Sequence, residues 1–419
     1  MSVNGQNDNW IDDVLSETSH VETPRPWIWW SLVAAISASA GGNYHVRSLK
    51  GLLTYVSNIY VILLGESGLG KAFGINLSKL LVQHANTTRV IAGRSSIQAI
   101  VTELSKQKTR PDGLPPIADS RGFIINGELS SAIIADVDAL SILTDLYDGK
   151  VNEEWVNSLK LTGKETLKNP YITALFGTAP AGFYDSIPQA NIEGGYIGRN
   201  LIIYEEKRHQ DLDLFGDEIE EEIDKLRDVI VPAYSKHLAE LNTKKGRLIL
   251  HPLAKELYNI WRRQWRMNQQ PDKTGFINRV PDHVIKVAMC LCLSRYINAG
   301  VINEQDIQLA IDKVTGLIYS NKMQVEGRGL DPAAGQTKFV LNILLRAEGN
   351  EISRKKMLTQ GHGNFDSFTL DKIVESLMEL GWIERNIDLK GSATDWIYSL
   401  KGEPLINYQK WRASQKGKK

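Results

Sequence analysis

The sequence predicts an α/β fold in its first half, a parallel sheet with helices on both faces over residues 26–210, followed by an all-α region and a winged helix-turn-helix. Three observations predict it. Apolar strand-forming runs alternate with helical stretches as far as Tyr204, the pattern of parallel strands joined by crossover helices. From Asp217 to about Asn321 the text carries apolar residues three and four apart, which is helical spacing. From Thr337 onward three short helical segments precede two strands, the order of a winged helix.

Taken in order, residues 1–25 are polar and acidic, with a short amphipathic piece from Trp10 to Leu15, and read as a flexible arm or partner peptide. "PRPWIWWSLVAAISASAGG" has a proline start, an apolar helical run and a paired-glycine stop. Its Trp27, Trp29 and Trp30 either pack a core or stack single-stranded bases. In "SNIYVILLGESGLGKAFGINLSKLL" a strand, Ile59 to Leu64, enters a glycine-rich turn and leaves through a helix with Ile75, Leu77, Leu80 and Leu81 on its apolar positions. Phe123 to Ile125, Ile172 to Phe176 and Leu201 to Tyr204 are further strands.

The helical region, residues 211–330, runs from "DEIEEEIDK" through "LAKELYNIWRRQWRM", "HVIKVAMCLCLSRYI" and "EQDIQLAIDKVTGLI" to the linker "GRGLDPAAGQ". It reads as a lid. The winged-helix candidate, residues 334–402, has helices at Phe339 to Leu345, Arg354 to Leu358 and Thr369 to Leu380, then strands Trp382 to Ile387 and Trp396 to Leu400 around "KGSAT". A basic tail, 403–419, follows.

Composition narrows the classes. The 419 residues carry 49 Lys and Arg against 49 Asp and Glu, and 42% are hydrophobic, which excludes a disordered polyelectrolyte and a histone-like basic binder. The charge is unevenly placed: from Thr337 to the end there are 14 Lys and Arg against 10 Asp and Glu. The two cysteines, Cys290 and Cys292, suit neither a metal knuckle nor a disulfide framework and read as helix packing in a reducing compartment. The longest apolar stretch, Trp27 to Ala40, is too short to span a bilayer. A cytoplasmic location without membrane contact is expected.

The strongest chemical signal is the run from Gly65 through Ser67, Gly68, Gly70 and Lys71 to Ala72, placed between a strand and a helix as a P-loop must be. The glycines let backbone N–H groups surround phosphate oxygens, the helix N-terminus adds a positive dipole, and Lys71 would reach the β and γ phosphates. ATP with Mg²⁺ is the expected ligand. Ala72 departs from the pattern, because Ser or Thr normally offers a hydroxyl to Mg²⁺ there. In "GFIINGELSS" an apolar strand ends at Glu128, either the carboxylate that orients the attacking water or a surface cap of the next helix. Asn126 and Gly127 replace the usual preceding Asp. The spacing from Lys71 suggests that the two strands are neighbours.

Thr178 in "YITALFGTAP" contacts the γ phosphate or attacking water, or merely forms the turn before Pro180. Arg199 in "GGYIGRN" is placed to stabilise phosphoryl charge across a subunit boundary, or to make a surface ion pair. Arg279 in "FINRVPDHVIK" reaches back to the nucleotide from the lid, or pairs within its domain. In "WVNSLKLTGKETLKNP" a hairpin turning at Thr162 to Lys164 presents Lys160, Lys164 and Lys168 to a phosphate backbone, or is simply solvated. Thr369 to Leu380 would be the recognition helix, unless the winged helix docks a protein. No metal site among His251, His283 and His362 is expected.

The order "PWIWWSLVAAISASAGG", "NIYVILLGESGLGKA", "GRSSIQAI", "GELSSAI", "LTDLYDG", "GGYIGRN" resembles the primase-helicase-type P-loop proteins of phages and mobile elements, long filed as a domain of unknown function, over about Pro26 to Tyr204. In that family a small residue often follows the lysine and the second motif often keeps only "ELS", so Lys71 and Glu128 match its presumed ATP site. The resemblance implies a ring-forming replicative helicase of the RecA or AAA+ type. The helical region and winged helix are similar, more loosely, to the lid and C-terminal domain of minichromosome-maintenance-like helicases. The expectation is an ATP-dependent DNA helicase forming a hexameric ring, with DNA, and a primase or polymerase, as partners. The alternative is a nucleotide-binding DNA-recognition or helicase-loader protein with weak hydrolysis.

Overall fold

In the computed structural model, which describes residues 9–48, 53–93, 96–108, 117–129, 137–148, 154–159, 163–180, 183, 187, 191, 195–211, 224–269, 274–296, 300–326, 333–362, 365–388, 395–402 and 405, the first element is a short helix, α1 (Trp10–Glu17). Asn9 caps it by accepting from Asp12 N at 3.0 Å. Trp10, Ile11 and Val14 are buried, and Trp10 Nε1 donates to Tyr234 O at 2.9 Å. The flexible-arm expectation is therefore corrected for residues 10–17. An eight-residue helix cannot hold its shape alone in water, and this one is held by docking its apolar face.

Helix α2 (Arg25–Ala40) has Pro26 in its first turn and ends at Gly41, whose φ of 58° is the left-handed conformation of a glycine stop. Trp27 to Ala40 are all buried, since a helix that is apolar on every side has to be enclosed. The tryptophans thus pack the core. Strands β1 (Tyr44–Ser48) and β2 (Leu53–Val56) form an antiparallel hairpin. Then come β3 (Tyr60–Leu64), α3 (Lys71–Ala85), β4 (Arg89–Ala92), α4 (Ile97–Ser105), β5 (Arg121–Asn126) and α5 (Val137–Leu146). The hairpin β6 (Glu154–Leu159) and β7 (Gly163–Lys168) leads to β8 (Tyr171–Thr178), and β9 (Asn200–Tyr204) follows.

The sheet runs β9-β3-β8-β5-β4, all parallel. The expected parallel α/β sheet is present, with β4 added. Strands β3 and β5 are not neighbours, contrary to the expectation from spacing: β8 lies between them, paired to both. Leu64 is level with Thr178 and Tyr204, and Phe176 with Asn126, so Gly65, Thr178 and Glu128 all leave the sheet at its C-terminal edge. At the other edge Tyr60 pairs with Asn200 and Tyr171 with Arg121.

Beyond the sheet lie α6 (Val231–Thr243), β10 (Gly246–Arg247), α7 (Pro252–Asn268), α8 (Phe276–Ser294) and α9 (Glu304–Glu326). β10 adds to β1 in parallel. α6 packs on α2 and α3, and α8 on α2. Trp30, Leu63, Leu238 and Val284 share one apolar cluster, and residues 1–321 form one compact unit. Within those bounds the helical region is thus part of the same body as the sheet. Cys290 and Cys292 are buried in α8 and form no disulfide. The acidic run at 217–223 lies outside the described residues.

The second unit, residues 322–419, contains α10 (Ala333–Arg346), β11 (Glu351–Ser353), α11 (Arg354–Gln360), α12 (Ser367–Glu379), β12 (Ile383–Asp388) and β13 (Asp395–Leu400). Three helices and a hairpin are present as read from the sequence. Strand β11 is an addition, and the antiparallel sheet runs β11-β13-β12. Val340, Leu344, Met357, Leu370, Val374 and Tyr398 form its core. Ser353 and Asp366 cap α11 and α12 by accepting from Lys356 N and Thr369 N. The basic tail lies outside the described residues except Leu405. Among the described residues no helix is long and apolar enough to cross a membrane.

Candidate functional site

The loop from Gly65 to Gly70 is shaped by its glycines. Gly68 and Gly70 have φ of 88° and 87°, a region that side chains other than Gly rarely enter, and Gly70 is the N-cap of α3. Gly65 is pressed between neighbours: a Cβ there would lie 2.6 Å from both Glu205 O and the Trp27 ring. Lys71 opens α3 and folds back over the loop, its Nζ donating to Gly65 O at 2.5 Å and Glu66 O at 2.8 Å and lying 5.5 Å from the Trp27 ring centroid. Burial lowers its pKa, with Glu66 opposing. Ala72 is exposed. Two segments brace the turn from outside. Thr23 Oγ1 donates to Gly70 O at 2.9 Å, and Arg208 donates to Gly68 O at 3.2 Å while pairing with Glu22 at 2.8 Å.

A glycine-rich turn into a helix N-terminus with a lysine at its first position is chemically suited to a polyphosphate. Lys71 now satisfies two loop carbonyls, and phosphate oxygens would replace them. Ser67 is exposed beside it.

Two strands over, roughly 10 Å at the usual strand spacing, Glu128 leaves β5 exposed at the same edge. Its backbone N donates to Asn126 Oδ1 at 3.0 Å. Leu129 N donates to Gly177 O at 2.7 Å, and a Cβ on Gly177 would lie 2.6 Å from Gly127 O. The Gly177–Gly127 backbone contact thus draws the Glu128 turn against the end of β8. Gly127 itself faces open space, so nothing but the absent side chain keeps a carboxylate from that position. Thr178, buried at the end of β8, sits between loop and glutamate, its carbonyl accepting from Gly65 N at 3.3 Å. The structure therefore brings Gly65 to Ala72, Thr178 and Glu128 to one edge.

Arg199 and Arg279 are elsewhere. Arg199 ends a 3₁₀ turn immediately before β9, at the N-terminal edge, and Arg279 in the first turn of α8 joins it there. A Cβ on Gly195 would lie 3.0 Å from Arg199 Nη1 and 3.2 Å from Arg279 Nη2. One strand of five residues, roughly 16 Å, separates them from the loop edge. The expectation that Arg279 reaches back to this chain's own nucleotide loop is corrected, because α8 is anchored in the core at the opposite edge. Arg199 pairs with exposed Asp148 at 3.8 Å, and its Nε is buried without a hydrogen-bond partner among the described residues. Burial lowers the Arg279 pKa, and Arg199 adds to the effect.

Beside this pair is a buried polar cluster that sequence reasoning missed. Lys286 Nζ donates to Asn58 Oδ1 at 2.9 Å and lies 3.8 Å from the Tyr147 ring centroid. Burial pushes its pKa down to about 7 against the pull of Asp148, Asp282 and Cys290. His283 Nε2 lies 2.9 Å from Gly198 O and Nδ1 3.1 Å from Tyr147 Oη. A neutral ring donating to the carbonyl and accepting from the phenol fits both contacts, and burial pushes its pKa down to about 3. His283 and Lys286 are three residues apart on α8, but Asn58 and Tyr147 come from separate parts of the chain and no spacing links them to that pair. Arg199 did carry a signal: a residue just before a parallel strand lies at the opposite edge from a loop that follows one.

Of the lysines expected to face a phosphate backbone, Lys168 is exposed and pairs with Glu154 across the hairpin at 3.3 Å. Lys164 on β7 pairs in register with Ser158 on β6, and Lys160 lies outside the described residues. The hairpin joins the N-terminal edge, where Lys168 N donates to Ser120 Oγ at 3.1 Å. No protein-family model matches this chain, and no curated protein matches it.

Proposed function

We propose that the chain is an ATPase that translocates on DNA as a helicase of a phage or mobile element, working as a hexameric ring in the cytoplasm with a primase or polymerase as partner. The observation that carries it is the convergence of the Lys71 loop, Thr178 and Glu128 on one edge of a parallel sheet, the arrangement phosphoryl transfer to water requires. The five-strand order, with a strand inserted between loop and glutamate, supports a RecA or AAA+ type of P-loop core, and the second unit's order of elements supports a winged helix.

ATP phosphates would lie on the N-terminus of α3, with Lys71 exchanging its loop carbonyls for β and γ oxygens. Glu128 would accept a proton from the attacking water, and Thr178 would hydrogen-bond the γ phosphate or that water. Mg²⁺ would neutralise phosphate charge. With an alanine at 72 and a glycine at 127, the residues present suit an ion held by phosphates and water with Glu128 nearby. Arg199, together with Arg279, sits too far from this chain's loop to serve it and would act on a neighbouring subunit's nucleotide. Lys160, Lys164 and Lys168 on the hairpin, and the second unit, would face DNA.

A second reading, a nucleotide-binding DNA-recognition or helicase-loader protein with weak hydrolysis, is favoured by one observation: Ala72 and Gly127 present no metal ligand. DNA-stimulated ATP hydrolysis by the wild type, Lys71→Ala and Glu128→Gln separates the two. The expected outcome is a loss of roughly 100-fold or more in each variant, in line with removal of groups acting on the transition state. A wild type no faster than either variant would leave the loader reading.

A further inference from the structure

Away from the nucleotide edge, a cavity of about 640 Å³ opens between the β1–β2 hairpin, the β10 segment and α7. Arg47, Arg247, Lys255 and Arg262 line it, and no carboxylate does. None of these four makes an ion pair or side-chain hydrogen bond among the described residues. The nearby Asp282 is engaged, accepting from Tyr55 Oη at 2.9 Å. Four cations against the nearby carboxylate of Asp282 leave an excess of positive charge at the groove, which an anion relieves.

The spacing says what kind of anion. Arg247 follows Gly246 on β10, level with His45, and Arg47 is two residues further along β1, on the same face as His45. Lys255 and Arg262 are seven residues apart on α7, two turns or roughly 10 Å along one helix face. The backbone positions of the four fall in two rows, one on β1 and β10 and one on α7, which suits a chain of phosphates better than one. Tyr55 and Tyr258 also line the groove. Tyr258, its hydroxyl donating to Pro281 O at 3.0 Å, is buried in the apolar core, whereas Tyr55 is half-buried with its hydroxyl tied to Asp282, which fixes its ring, and an aromatic ring within a basic groove is what a single-stranded base stacks on.

We propose that this groove binds the phosphate backbone of single-stranded DNA. The choice of DNA as the polymer rests on the proposed function, while the groove itself stands on its own geometry. The test is fluorescence anisotropy of a labelled oligo-dT with the full chain, without nucleotide, over a range of salt concentrations. Arg247 is exposed and Arg262 partly so, so R247Q/R262Q should fold, which an unchanged thermal midpoint checks. The double variant should bind roughly tenfold more weakly, and its slope of log K against log salt should be shallower by about 1.4, at ~0.7 for each phosphate contact on a single strand.

An unchanged slope and affinity would overturn the groove assignment alone. A wild type that binds no oligo-dT would overturn it together with the DNA part of the proposed function. Displacement of oligo-dT from Lys71→Ala by millimolar ATP would identify a small-anion pocket and overturn the polymer assignment, as would equally tight binding of polyglutamate.

Discussion

Replacing Lys286 by Met should change how the stability of the first unit depends on pH. Lys286 is 5% exposed, and burial, the largest cause, holds its pKa at about 7 against an ordinary 10.5, with Arg199 adding to the effect and Asp148, Asp282 and Cys290 opposing it. Between those values the unfolded chain keeps a proton that the folded chain gives up. Stability therefore rises with pH there, by at most ~1.4 kcal/mol per pH unit. Between pH 7 and pH 9 the wild type should gain about 2 kcal/mol from this group.

The methionine variant has no such gain. It leaves Asn58 Oδ1 without its donor, a cost of about 1–3 kcal/mol that is the same at both pH values and cancels from the comparison. His283, held at about 3, affects stability only below the ordinary histidine range. Burial raises the pKa of Cys290 and Cys292, which lowers stability only above the ordinary thiol range near 9. Urea unfolding at pH 7, 8 and 9 reads the difference. The variant should lose about 2 kcal/mol relative to wild type as pH rises across that window, and parallel profiles for the two proteins would refute the reasoning.

Gly177→Ala should destabilise by about 1–3 kcal/mol, as overpacking does, because its Cβ would lie 2.6 Å from Gly127 O. Gly127→Ala, facing open space, should stay within about 0.5 kcal/mol, and urea melts of the pair check both. Trp10→Ala removes a fully buried indole and its bond to Tyr234 O. It should cost about 3–5 kcal/mol, seen as a lower thermal midpoint, whereas a mobile arm would show no change.

The sequence carried the four long strands because each is a run of apolar residues between turn signals. β4 escaped because its four residues, Arg89 to Ala92, are only partly buried at the sheet edge and follow α3 after a turn of three residues, so no alternation marks them. Strand order is not legible: β3 and β5 come before β8 in the chain, yet β8 inserts between them. The glycine-rich loop and the turn at Glu128 are legible as local patterns, because the shape of each depends on adjacent residues. Residue type alone suggests that Arg279 reaches this chain's own glycine-rich loop, whereas the positions of Arg199 and Arg279 depend on strand direction and on the burial of α8. The groove was invisible for a similar reason, since Arg47, Arg247, Lys255 and Arg262 meet only after β10 has returned to β1.

Strand β8 is buried along all eight residues and hydrogen-bonded on both sides. It begins just after the lysine-bearing hairpin and ends at Thr178, about 23 Å away at the usual rise per residue. A strand so confined behaves as a push rod. Its length is fixed by covalent geometry, its neighbours oppose buckling, and a slip by one residue would turn every side chain to the wrong face. Whatever shifts Thr178 along the strand axis must shift Tyr171 and the base of the hairpin by nearly the same amount, so the two edges of the sheet form one mechanical stroke with no hinge between them.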